Sequence, residues 1–105
     1  MIEIDLQIKH HFSPGVYAKE MHLPADHFAI SHKHAYDHIS MLAAGRVRVT
    51  VNGDQAEHVA PAFIMIRAGH EHEILALEDA TWFCIHETEE TNPDNIDEVL
   101  IEKAS

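Results

Sequence analysis

The sequence predicts a small all-β protein, a sandwich or barrel, with one helix at its C-terminal end. Three observations carry that expectation. Short runs alternate apolar with polar residues; Gly, Pro and acidic turn residues punctuate them at near-regular intervals; and the period changes only in the tail. At 105 residues the chain makes one domain, large enough for a core but too small for a cleft between two domains. Hydrophobic content of 46% with 24% charged residues is ordinary for a folded soluble protein.

The elements follow in order. "MIEIDLQI" alternates Ile2, Ile4, Leu6 and Ile8 with polar neighbours, so residues 1–9 read as a half-buried N-terminal strand. "GVYAKEMHL" is the next strand, stopped by Pro24. In "HFAISHKH", Phe28, Ile30, His32 and His34 share one face, and the two apolar members predict that this face looks inward. "HISMLAA" ends at Gly45, and "RVRVTV" runs into Asn52-Gly53, a strong hairpin signal. "FIMIRAG", "HEILALE" and "TWFCIHET" complete a barrel over about residues 12–87. In the tail, Ile96, Val99, Leu100 and Lys103 fall on one helical face. Asn92 and Pro93 stand as cap and first residue of a helix over about 92–103.

Composition narrows the partners. A net charge of -11 disfavours nucleic acid, which needs a basic face, and disfavours an anionic membrane surface. No apolar run reaches the length of a spanning helix, and the N-terminus lacks a signal-peptide pattern. A single cysteine, Cys84, precludes an intrachain disulfide and fits a reducing cytoplasm. Ile39, Met41 and Ala43 put apolar side chains opposite the His38 face, and the N-terminal strand reads as an open edge. Both features predict a homodimer.

The chemistry lies in "SHKHAYDHISMLAAG". Read as a helix, His34 and His38 would stack at a spacing that zinc sites use, but the alternating lead-in opposes a helix. Read as a strand, His32 and His34 project from one face about 6.5–7 Å apart. Imidazoles so placed can converge on one ion about 2 Å from each nitrogen. His38 then re-enters from the neighbouring strand. Buried imidazoles need hydrogen-bond partners or a metal, so the pattern points to a metal cage rather than a solvated surface.

"HKHAYDHISMLAAG" resembles the first conserved motif of the cupins, and "RAGHEH", with Gly69 and His72 in register, is similar to the second. The resemblance covers about residues 20–87, nearly all of the β region. It implies a cupin-type jelly-roll barrel in which His32, His34, His38 and His72 hold one divalent transition metal. It also supports the homodimer. The chain resembles most the small bacterial four-histidine cupins, some of which are manganese proteins. It departs from the family pattern at His38, where Glu is usual, and at Asp26 and Pro61, where the motifs open with Gly. Arg67 and Ala76 stand where Pro and Asn are usual.

Four neutral imidazoles leave the ion its full charge, which favours anionic ligands and strengthens it as a Lewis acid. Nitrogen ligands with open positions suit Mn, Fe, Ni, Cu or Zn. On the last strand Trp82, Cys84 and His86 share one face. If that face is inward, His86 is a candidate general acid, base or hydrogen-bond donor. Cys84 is either a reactive thiol, made more thiolate-like by the cation, or a small core hydrophobe. Arg67 reads as an exposed turn residue or an anion-binding guanidinium, and His70 as an entrance or loop histidine. His10, His11, His22, His27 and His58 read as surface.

The expected function is a metal-dependent enzyme acting on a small oxygenated molecule, dioxygenase-like, with small-molecule ligands as its partners. Two alternatives stand beside it: a Lewis-acid isomerase or lyase, and a non-catalytic binding or sensing module. A closed structural metal site fits less well, because four protein ligands on an octahedral ion leave two positions open.

Overall fold

A computed structural model describes residues 6–31 and 35–95, except for the side chain of Ser31. Nine strands are found among them: β1 Lys9–Ser13, β2 Val16–Leu23, β3 Phe28–Ser31, β4 His38–Ala44, β5 Arg46–Val51, β6 Asp54–Val59, β7 Ala62–Ile66, β8 His72–Ala76 and β9 Ala80–Glu87. They form two antiparallel sheets, ordered β1-β2-β9-β4-β7 and β3-β8-β5-β6. The all-β expectation therefore holds.

The core lies between the two sheets. Met21, Leu23, Leu42, Ile64, Ile66, Ala80 and Trp82 from the larger sheet pack against Val47, Val49, Ile74 and Ala76 from the smaller. Each inward set recurs at every second residue, as a pleated strand with one buried face requires. The β5–β6 hairpin turns at Asn52 and Gly53, with φ of 52° and 83°. Positive φ at both positions matches the right-handed strand twist and explains why this dipeptide is a dependable turn signal.

Two strands have no clear trace in the sequence pattern. β1 and β6 are edge strands that bury little, so "KHHFS" and "DQAEHV" carry no apolar alternation. Of the alternating N-terminal run, residues 1–5 lie outside the described part. Leu6 packs against the core, and β1 begins at Lys9. The expected helix over 92–103 also lies largely outside. Residues 93–95 form a turn, in which the Asn92 side chain accepts the Asp94 N–H at 3.0 Å; the rest of the expected helix is not among the described residues.

One expectation is corrected. Phe28 and Ile30 do not face inward; they are 59% and 50% exposed, and Ala29 packs against the core. The chain enters β3 past Asp26, at a φ of 66°, and Ala29 pairs with Ile74 on the inner face. Alternation fixes which residues share a face but not which face is buried; here the interior takes the small side chain. His32, Lys33 and His34 lie outside the described residues.

Gly45 shows why the first motif ends in glycine. Its φ is 88°, and a Cβ there would run into the carbonyl oxygen of Asp79 and lie 2.9 Å from the Ala80 Cα. No side chain fits, so the position is closed by backbone on both counts.

Candidate functional site

One end of the barrel collects the polar residues. Residues 35–37, which lead into β4, and the connection 67–71, which joins β7 to β8, both lie at this end. Asp37 ties them together. Its Oδ1 accepts the Ala68 N–H at 2.8 Å and its Oδ2 accepts from Arg67 Nη1 at 3.3 Å. These bonds, the backbone one first, hold the Asp37 carboxyl below its ordinary range. Arg67 is thus an exposed turn residue occupied by a carboxylate.

Inside this mouth, the inner face of the larger sheet is arranged in rows. The outermost row runs Tyr17, His86, His38 and Ile66 across β2, β9, β4 and β7. Tyr17 stacks on His86 with centroids 6.0 Å apart, and His38 lies 4.1 Å from His86. Tyr36 meets His86 edge-on at 6.4 Å. The second row is Lys19, Cys84, Ser40 and Ile64, and the third is Met21, Trp82, Leu42 and Ala62. Polarity falls from aromatic and imidazole, through hydroxyl and thiol, to hydrocarbon within three rows.

The smaller sheet contributes His72, which is 2% exposed at the same end of the barrel. Its Nδ1–H donates to the His70 carbonyl at 3.1 Å. A carbonyl only accepts, so the proton of the neutral ring is on Nδ1 and the Nε2 lone pair is available. Burial pushes the His72 pKa below its ordinary value, which favours that neutral form. His70 itself is exposed and accepts from the Asn52 amide at 3.2 Å, so it is a loop histidine.

Of the expected site residues, the structure therefore brings His38, Cys84 and His86 onto one inner face and sets His72 on the opposing sheet. His32 and His34 fall outside the described residues. Among the described residues, no group of three or more His, Cys, Asp or Glu side chains forms a metal-holding cluster. Cys84 is half-buried, and burial pushes its thiol up, outweighing the Ser40 and Trp82 side chains that favour the thiolate. The protein alone thus keeps Cys84 as a thiol.

At the barrel mouth, a cleft of about 540 Å³ is lined by Tyr36, Asp37, His38, Ile39, Met65, Ile85 and Glu87. Burial, reinforced by Glu87, raises the Tyr36 hydroxyl above its ordinary pKa, so Tyr36 presents a neutral donor there.

Several contributors escaped the sequence pattern. His10 is exposed, but its Nδ1 lies 2.7 Å from the Tyr17 hydroxyl and its ring stacks on Tyr17 at 5.8 Å. Tyr17 and Lys19 could have been found, because they share a period-2 face with the core residues Met21 and Leu23. Asp37 could not, since its bonds depend on a loop 31 residues away.

Comparison with solved structures identifies the fold. A cupin-2 domain protein from Halorhodospira halophila superposes with a TM-score of 0.68 at 12% identity, covering 93% of this chain and 77% of that one. KdgF from Halomonas sp. gives 0.68 at 16% identity, covering 83% and 80%. A putative ethanolamine utilization protein Q from Salmonella typhimurium gives 0.67 at 16% identity, covering 79% and 69%. No family model matches the sequence, and no curated protein matches it. At these identities the likeness is one of fold, and the fold is that of the cupins.

Proposed function

We propose that this protein is a metal-dependent cupin enzyme that acts on a small oxygenated molecule at the histidine-lined mouth. The observation that carries the reading is the pair of buried imidazoles, His38 and His72, on opposing sheets at one end of the barrel. His72 fits a ligand role because its Nδ1–H is held by a backbone carbonyl, the arrangement that presents Nε2 to an ion. By the motif resemblance, and not by the phase of β3, His32 and His34 would join His38 and His72 around one divalent transition metal. When bound, that ion supplies a Lewis acid for the oxygens of the substrate.

The chain's own residues supply the rest. His86, packed between Tyr17 and His38, is oriented to exchange a proton with a molecule in the mouth. Trp82, Leu42 and Met21 close the floor and exclude water below it. Cys84 and Ser40 offer neutral donors one row down.

The dioxygenase reading and the Lewis-acid alternative separate in one experiment. Manganese- or iron-loaded protein is given acetylacetone, a 1,3-dioxygenated probe, while dissolved oxygen and solvent-deuterium exchange are followed. Oxygen uptake with matching product supports the dioxygenase. Exchange without uptake supports an isomerase or lyase, and neither response supports a binding module.

The same reading takes the protein as a homodimer. The outer face of the larger sheet exposes Ile39, Phe63 and Met65 at 44%, 72% and 47%. These side chains carry no charge, and β7 is a sheet edge. A chain with a net charge of -11 meets its own copy most readily through such a face. Light scattering that gives an 11.9 kDa particle at working concentration would rule it out.

A further inference from the structure

Lys19 is a cation on the inner face of the barrel wall. Tyr17, Met21 and Leu23 of the same strand are buried at 1%, 9% and 2%, and Lys19 shares their phase. In register it lies between His10 on β1 and Cys84 on β9. It is neither buried nor fully exposed, so its ammonium stays within reach of a solute.

The other described cations lie off the inner face. Lys9 holds Glu20 at 3.8 Å, Arg48 holds Glu57 at 3.2 Å, and Arg67 holds Asp37 at 3.3 Å. Arg46 has the phase opposite to the buried Val47 and Val49, so it faces away from the core. Among the described residues, Lys19 alone is a cation on the inner face, and no ion pair joins it to a carboxylate. Its surroundings are donors: the Tyr17 hydroxyl with its His10 partner, the Cys84 thiol and, one strand further, the Ser40 hydroxyl. Its charge reaches Cys84, where it favours the thiolate without overcoming burial.

A cation among hydroxyl and thiol donors, in a chain this acidic, is an anion seat in search of its anion. At long range the protein repels small acids, so a local positive group must hold one in place. We propose that Lys19 binds the carboxylate of an anionic substrate whose other oxygens lie at the histidine-lined mouth. The substrate class is a small organic acid carrying a second oxygen group, two or three atoms from the carboxylate. The proposal rests on the metal-dependent reading for the second group, but the carboxylate seat belongs to Lys19 alone.

The test uses malonate as probe and neutral malonamide as its control, with binding measured by calorimetry on the full chain. Lys19→Met keeps the length of the stem and removes the charge; Lys19→Arg keeps the charge. Metal content is determined on the same samples. Malonate affinity should fall on the order of tenfold in Lys19→Met, consistent with losing one charged hydrogen bond. Lys19→Arg should restore most of it, and malonamide binding and metal content should not change. Malonate bound equally by wild type and Lys19→Met overturns the proposal, as does a wild type that binds no malonate at millimolar concentration. Lys19-dependent malonate binding in protein that takes up no metal would support this seat while sinking the metal reading.

Discussion

The two ends of the barrel interior share the same strands but are built for different ends. At the closed end, Leu23, Leu42, Val47, Ala76, Ala80 and Trp82 are buried to between 0% and 4%, and the wall is hydrocarbon. At the mouth, the same strands β2, β4, β9 and β8 carry Tyr17, His38, His86 and His72, equally buried but polar. Burying imidazole and phenol costs more than burying leucine unless each finds a partner. The mouth meets part of that cost by stacking Tyr17, His86 and His38 in a row and by giving His72 a backbone acceptor. Stability is thus concentrated in the floor, while the mouth carries groups whose arrangement makes sense as chemistry.

Substitutions at the two ends should separate these roles. Leu42→Ala, at 0% exposure in the floor, should lose about 2–5 kcal/mol of unfolding free energy in urea titration. Metal binding by the fraction still folded should be unchanged. His86→Ala removes three ring contacts at the mouth and should lose less, about 1–2 kcal/mol, while abolishing turnover of any substrate found. A larger stability loss at His86 than at Leu42 would break the division between the ends.

The smallest effect is set by pH. Burial depresses the His72 pKa, so below the ordinary value of 6.5 the unfolded chain takes up this proton before the folded one. The stability tied to neutral His72 is therefore whole above about pH 6.5 and is lost as pH falls further. Metal-free protein unfolded in urea between pH 5 and 8 should show that decline, and His72→Gln should flatten it. An unchanged slope in the variant would assign the decline to other groups.

Much of this could be read from residues alone, for a definable reason. "HISMLAA" and "RVRVTV" became β4 and β5 as written, because each buries one face and shows it as alternation. Trp82 and His86 turned inward on the same grounds. Edge strands β1 and β6 bury neither face, so their sequences are silent. The phase of β3 was misread because Phe28 and Ile30 outweigh Ala29 in hydrophobicity, while the register with β8 decides which of them enters. Within the site, positions on a regular strand were legible. The Asp37 bridge and the His72–His70 bond were not, since both depend on loops meeting in space.

Whether the mouth holds a metal is decided by metal content. The most direct measurement is elemental analysis of protein purified without added metal and again after incubation with Mn(II), for wild type, His72→Ala and His38→Glu. Wild type should hold about one divalent transition metal per chain, lost in His72→Ala and retained in His38→Glu, because a carboxylate can replace an imidazole as ligand. Wild type that binds no metal under either condition, or His72→Ala that stays fully loaded, would contradict the metal reading.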